Sequence, residues 1–321
     1  MINDSKSAAF LINPIESLDL KTDSSLLIAH ELQKRKYKVF YFLASDLAYE
    51  NSKITANGHY FKIDYDSQHI LTLSKTKVLL DNFDVLFIRQ NPPFDQQYLT
   101  ITYLLETLKN TLILNHPTSI RNITEKLSII NFSNHIPVTA VYGNVQEIKE
   151  FILQYKTVII KPLYDCAGRG VTKVTNTKHN LDYYIKSLVN KYQYIMLQKY
   201  LPEVVTFGDK RVILMNGDIL AVINRKPQNS SFKVNIAAGG QSFQSYLTNK
   251  EIILCQEIGQ FLKEENLFLV GIDIINGRLI EINVTSPTGL VALNNLYKLH
   301  VEKIIVDQIE RKIKNWYNSC D

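Results

Sequence analysis

In the segment Gly271-Ile-Asp-Ile-Ile-Asn-Gly-Arg-Leu-Ile-Glu-Ile-Asn283, two carboxylates and a carboxamide interrupt residues that are otherwise apolar and β-rich. Glu281 and Asn283 are two apart, so on a strand their side chains leave the same face. Asp273 lies across a turn at Asn276-Gly277. A two-residue turn would pair Asp273 with Ile280 and set it on the face opposite Glu281. A three-residue or bulged turn, with Gly277 left-handed, would bring all three oxygen ligands together. Such a hard-oxygen set suits magnesium bridging nucleotide phosphates. A surface hairpin with scattered acids is the plainer alternative, but polar groups inside apolar strands favour the metal.

A second group is Val158-Ile-Ile-Lys-Pro-Leu-Tyr-Asp-Cys-Ala-Gly-Arg-Gly-Val171. Here Lys161 ends a buried strand, and a turn bearing Gly168 and Gly170 follows. Backbone amides in such a turn can fold over phosphates while the lysine supplies a point charge. A lysine at a strand end is usually only solvated, so this group gains its meaning beside the oxygen set. The seven histidines have no metal-ligand spacing and read as structural or solvated.

These residues need a scaffold, and the 321-residue chain has the composition for one, with 45% apolar and 21% charged residues. Phe10–Ile12, Tyr37–Leu43, Phe83–Ile88 and Thr111–Leu114 read as strands, with Ser24–Lys36 a helix. That rhythm predicts a mainly parallel sheet. Further along, Glu125–Asn131 reads as a helix, Val158–Pro162 and Val171–Val174 as paired strands, Leu181–Val189 as a helix, and Tyr194–Gln198 as a strand. Arg211–Met215 and Ile219–Ile223 flank Asn216-Gly217 as a hairpin. Residues 226–246 read as a functional loop, Asn249–Glu264 and Leu299–Ile313 as helices.

Several classes are disfavoured. The chain has no GxGxxG after its first strand, no apolar run of membrane-spanning length, and no basic stripe with interleaved aromatics. Hence no nucleic-acid partner and no membrane are expected. The run Ala8–Ile12 is shorter than a signal-peptide core. Three scattered cysteines, Cys166, Cys255 and Cys320, form neither a disulfide framework nor a zinc pattern, which fits the reduced cytoplasm. A net charge of +5 suits small anionic substrates.

The lysine-bearing strand–loop–strand followed by the D…E-x-N hairpin resembles the ATP-grasp superfamily. More specifically the chain resembles prokaryotic glutathione synthetases from Ile12 to Arg311. The matching motifs include Asn13-Pro-Ile15, Asp23-Ser-Ser25, Arg89-x-x-Pro92-Pro-Phe-Asp95, Asn115-x-Pro117-x-Ser119-x-Arg121, Glu125-Lys126-Leu127, Gly208-Asp-Lys-Arg211-Val, Asn235-x-Ala-Ala-Gly239-Gly240 and Glu281-Ile-Asn-Val-Thr-Ser-Pro-Thr288. The resemblance implies an ATP-grasp fold of mixed α/β and α+β class. It would have an N-terminal parallel α/β domain (1–122), a central lid domain (123–202) and a C-terminal antiparallel-sheet catalytic domain (203–321).

It also implies site roles. Lys126, Lys161, Gly168, Gly170 and Asp209 would hold ATP, and the backbone of Gln198-Lys199-Tyr200-Leu201 would read the adenine edge. Asp273, Glu281 and Asn283 would bind two Mg2+ ions, or Mn2+. Arg211, Arg225, Asn235, Gly239 and Gly240 would surround an acyl phosphate, and Arg89, Lys233 and Ser286 would face substrate. The implied reaction joins glycine to γ-glutamylcysteine at the expense of ATP, in a homo-oligomer (tetramer or dimer). Three departures stand out. Gln90-Asn91 replaces the family's Lys-Asp. Asn229–Val234 replaces a Gly-Gly-Glu-x-Arg-Gly loop, with Lys233 in the arginine's place. Cys166–Gly170 is poorer in glycine than the usual phosphate loop. A lysine lacks arginine's bidentate fork, so a ligase for a different peptide or amino-acid pair is the alternative reading. A nucleotide-binding regulator without catalysis is a third, which the intact Asp273, Glu281 and Asn283 disfavour.

Overall fold

The computed structural model describes residues 6–227 and 241–320. The first sheet contains β1 (Ser7–Leu11), β2 (Lys38–Glu50), β3 (Lys53–Asp64), β4 (His69–Thr72), β5 (Thr76–Leu79), β6 (Val85–Ile88) and β7 (Leu112–Leu114). Their order is β4-β3-β2-β1-β6-β7, with β5 also on β3. Strands β2, β1, β6 and β7 are parallel, as the βαβ rhythm predicts, whereas β3, β4 and β5 are antiparallel additions. The mainly parallel expectation is corrected at Asn51-Ser52. There φ of 50° and 62° turn the chain back on itself through two left-handed residues.

Alternate residues of β1 serve opposite faces. Phe10 joins Val39, Tyr41 and Phe87 beneath α1 (Ser24–Lys34), whereas Leu11 joins Phe42, Ile88 and Tyr98 against α2 (Gln96–Glu106). Burial on both faces is why these strands read as continuous apolar runs. Asp23 caps α1, accepting from Ser25 N at 2.7 Å and Leu26 N at 2.8 Å, a type of cap that contributes about 1 kcal/mol. A short helix α3 (Pro117–Asn122) closes this part.

The four-stranded lid sheet has the order β10-β9-β11-β8, from β8 (Thr139–Tyr142), β9 (Thr157–Pro162), β10 (Thr172–Thr175) and β11 (Ile195–Lys199). Helices α4 (Val145–Tyr155) and α5 (Leu181–Tyr192) bury Ile148, Ile152 and Ile185 against Val158, Ile160 and Leu197. After α6 (Glu203–Phe207) comes the third sheet, β14-β13-β12-β15-β16. It is built from β12 (Asp209–Met215), β13 (Asp218–Lys226), β14 (Gln241–Gln244), β15 (Leu269–Ile275) and β16 (Arg278–Asn283), all antiparallel. Helix α7 (Asn249–Glu264), opened by a Thr248–Glu251 capping box, packs its Leu254, Ile258 and Leu262 on this sheet.

Two segments differ from expectation. Residues 241–244, expected within a loop, form β14 and pair with β13. Glu125–Asn131, expected as a helix, is instead a turn at Glu125-Lys126 leading into a 3-10 run over Leu127–His135 with a break at Phe132. The Glu125 carbonyl that an α-helix would use is taken by Ile282 N at 3.0 Å. Helix α8 (Leu290–Tyr297) precedes the last helix, α9 (Val301–Cys320). Ile305, Val306 and Ile309 of α9 return to the first sheet's core beside α1, and Arg35 pairs there with Asp307 at 2.6 Å and Glu310 at 2.9 Å. No described helix is long and apolar enough to cross a membrane.

Candidate active site

The turn between β15 and β16 resolves the question of facing. Asn276 (φ 46°) and Gly277 (φ 73°) form a two-residue turn that pairs Ile275 with Arg278. Ile274 then pairs with Leu279, and a bulge at Ile280 shifts the register so that Asp273 stands opposite Glu281. Both sequence alternatives are therefore half right: the turn is tight, and one bulge flips the acid back to the useful face. The bulge also delivers the Ile280 carbonyl to Lys161 Nζ at 3.4 Å.

On the same face Arg211 pairs with Asp273 across β12 and β15, and Arg225 pairs with Asp209 across β13 and β12. Arg211 forks onto Asp273, Nε to Oδ1 at 2.5 Å and Nη2 to Oδ2 at 2.9 Å. Arg225 Nη2 reaches Asp209 Oδ2 at 2.7 Å and Asp273 Oδ1 at 2.9 Å. Gly271 makes room for this fork, because a Cβ there would lie 3.1 Å from Arg211 Cδ and 3.2 Å from Pro287 Cβ. Burial would raise the Asp273 carboxyl, but the two guanidiniums outweigh it and hold the group ionised far below the usual carboxylate range. For Asp209 burial wins over Arg225, and its carboxyl is pushed up to about 7.

Two lysines face this hairpin, Lys161 from the lid strand β9 and Lys126 from the start of the 3-10 run. Lys126 Nζ lies 3.2 Å from Glu281 Oε1 and donates to the Asp165 carbonyl. Burial would lower it, but Glu281 and Glu125 hold it above the ordinary lysine value. Among the described residues Lys161 has no such close acidic partner, and burial, reinforced by Lys126, outweighs Glu281 and pushes it down to about 8. It therefore sheds its proton as pH rises past about 8, whereas bound phosphate favours the charged form. Nucleotide binding is expected to take up a proton above that pH, and KM for ATP to rise there. Calorimetry in buffers of different ionisation enthalpy checks this. A KM flat through that window, with no proton uptake, would sink it.

Two clefts meet at Asp273 and Glu281. The first, about 850 Å3, lies between lid and third sheet and is lined by Lys126, Lys161, Gly168, Gln198, Lys199, Tyr200, Leu201 and Asp209. Lys199 N and Tyr200 N already donate to Val138 O (2.9 Å) and Thr157 O (3.1 Å). The second, about 840 Å3, is lined by Asn91, Cys166, Arg211, Arg225, Asn283 and Ser286. Gly170 lines neither cleft and packs against Pro162. Nor does Arg89, which sits behind the second, donating to Ser25 Oγ at 3.0 Å and Pro287 O at 2.7 Å, its guanidinium pushed down to about 10 by burial. The expected Lys233, Asn235, Gly239 and Gly240 lie outside the described residues, as does the 228–240 part of the expected loop.

The donor set fits magnesium nucleotide. Asp273, Glu281 and Asn283 share a face; among the described residues no cluster of three His, Cys, Asp or Glu exists that could hold a metal alone. Phosphate oxygens would have to complete the shell, which is how magnesium is ordinarily held. Among the described residues, Asp209 Oδ1 and Arg225 Nε are buried without a hydrogen-bond partner in this site, polar groups that a bound ligand or water would satisfy. Sequence reasoning gave no role to Glu125, Asn115 and Thr285. Asn115 makes four buried bonds, to Phe268 N, Leu269 N, Leu269 O and Val284 O at 2.7–2.9 Å. Its only signal was membership of a short motif.

Three sheets with a lysine-bearing lid over an acidic hairpin make up the ATP-grasp fold. The solved structure of a D-cycloserine synthetase superposes with a TM-score of 0.64 at 10% identity, covering 94% of this chain and 99% of that one. The chain belongs to the prokaryotic glutathione synthetase family. Residues 7–121 match that family's N-terminal domain and residues 125–298 its ATP-grasp domain. The chain is 34% identical over 309 residues to a glutathione synthetase of Bradyrhizobium diazoefficiens, covering 95% of this chain and 98% of the relative. It is likewise 34% identical over 307 residues to that of Rhodopseudomonas palustris, at the same coverage.

Proposed function

We propose that this chain ligates glycine to γ-glutamylcysteine, with ATP phosphorylating the peptide carboxylate and the amine then displacing phosphate. The observation that carries this reading is the meeting of the two clefts at Asp273 and Glu281. A nucleotide in one and a carboxylate in the other would have their reacting ends at the same pair of acids. Asp273, Glu281 and Asn283 would hold two magnesium ions, which when bound neutralise phosphate charge. Lys126 and Lys161 add positive charge on the nucleotide side, and Arg211 and Arg225 do so on the acyl side. The Leu201 amide, free of hydrogen bonds among the described residues, would read the adenine edge at the end of the Gln198–Leu201 segment. Ser286 faces the acceptor cleft, whereas Arg89 acts through Pro287 to hold that wall. Alignment and exclusion of water, rather than a protein nucleophile, then suffice for the chemistry. Free Cys166 and Cys255 support a cytoplasmic setting, and family kinship supports a homo-oligomer.

Magnesium-dependent phosphate release, with γ-glutamylcysteine and glycine added singly and together, tests the reading. Release is expected only with both, with glutathione appearing by mass spectrometry. Asn91, which lines the acceptor cleft where the resemblance expects an aspartate, favours one second reading, a different acceptor pair. Turnover with other acceptors but not with this pair would establish it.

A further inference from the structure

We infer that Glu125 is a positioning residue for the metal-bearing strand, acting through Thr285 and the β16 backbone; this rests on the magnesium site proposed above. Strand β16 is the outer edge of its sheet, and an edge strand's outward-facing amides have no strand partner. Glu125 supplies one, its carbonyl accepting from Ile282 N at 3.0 Å. Its side-chain Oε1 accepts from Thr285 Oγ1 at 2.6 Å and Thr285 N at 3.3 Å. The next residue, Lys126, holds Glu281 at 3.2 Å. One dipeptide thus grips the strand at residues 281 and 282 and the chain just beyond it at residue 285, on both sides of Asn283.

Packing alone would be served by an apolar side chain, since a carboxylate only 8% exposed is unfavourable to bury. What the side chain adds is an acceptor oxygen for two donors of one residue. This fixes the chain just after Asn283, where β16 ends. Residues that hold metal ligands in place usually alter affinity for the metal itself.

The test is Mn2+ binding to the full chain with ADP present, followed by electron paramagnetic resonance, with ADP affinity measured separately without metal. E125A and T285V are each expected to weaken Mn2+ binding by about 10- to 100-fold, the range for ligand-supporting residues, while metal-free ADP affinity stays put. E125A/T285V should be no weaker than E125A, because both break one contact. E125Q, whose amide oxygen can still accept from Thr285, should recover most of the loss. Parent-like Mn2+ affinity in T285V and E125A, with only thermal stability lowered, would overturn the inference. T285V alone decides the matter if E125A does not fold. Failure of the parent chain to bind Mn2+ with ADP would overturn the metal assignment, and this inference with it.

Discussion

Asp273→Asn is expected to abolish ligation and to destabilise the free protein at the same time. The carboxylate is 4% exposed and compensates Arg211 (6%) and Arg225 (4%). Among the described residues, an amide in its place leaves Arg211 with no carboxylate partner and Arg225 with Asp209 alone. Breaking a buried pair by removing one partner costs about 3–5 kcal/mol, because the remaining charge is left uncompensated. Urea denaturation without nucleotide should register that loss. Phosphate release in the presence of both substrates should fall by roughly 10³ or more, since charge stabilisation is the main catalytic term in phosphoryl transfer. A stable variant with substantial turnover would remove Asp273 from the proposed metal set. A destabilised variant with normal turnover would make it purely structural.

Arg211→Lys should separate metal binding from chemistry, moving them in opposite directions. Every hydrogen-bonding position of Asp273 is occupied, Oδ1 by Arg211 Nε and Arg225 Nη2, Oδ2 by Arg211 Nη2 and Asn283 Nδ2 at 3.3 Å. A cation reaching this carboxylate must displace one of these donors. Lysine keeps the positive charge but loses the fork, so the competition weakens and Mn2+ should bind more tightly. The acyl-side contact loses its planar donor, and kcat should drop by about 10²–10³, the usual effect of removing one oxyanion donor. A matched fall in both would mean that Arg211 supports the metal site rather than competing with it.

The sequence by itself determined the chemistry on offer: oxygen ligands in a D…E-x-N hairpin, lysines near a turn, and enough ordered motifs to place the chain in its family. It also determined most strands and helices, because continuous apolar runs and Asn-Gly turns act locally. Facing was left to tertiary structure. Whether Asp273 joins Glu281 depends on one bulge at Ile280, and a single-residue slip in a period-two element reverses every side chain. The Asn51-Ser52 hairpin was missed because its turn lacks glycine, although both residues adopt positive φ.

The segment after Glu125 is not an α-helix because its carbonyl serves a strand some 157 residues away (282 − 125), and no local pattern reports such a partner. For the same reason Arg89, expected to face substrate, is committed to Ser25 and Pro287, and Lys126 and Lys161 differ in charge behaviour. Two buried lysines of one chain are equivalent as letters. Only the fold puts Lys126 in contact with Glu281 and sets Lys161 where burial outweighs the pull of that acid, because desolvation and ion pairing depend on distance in space.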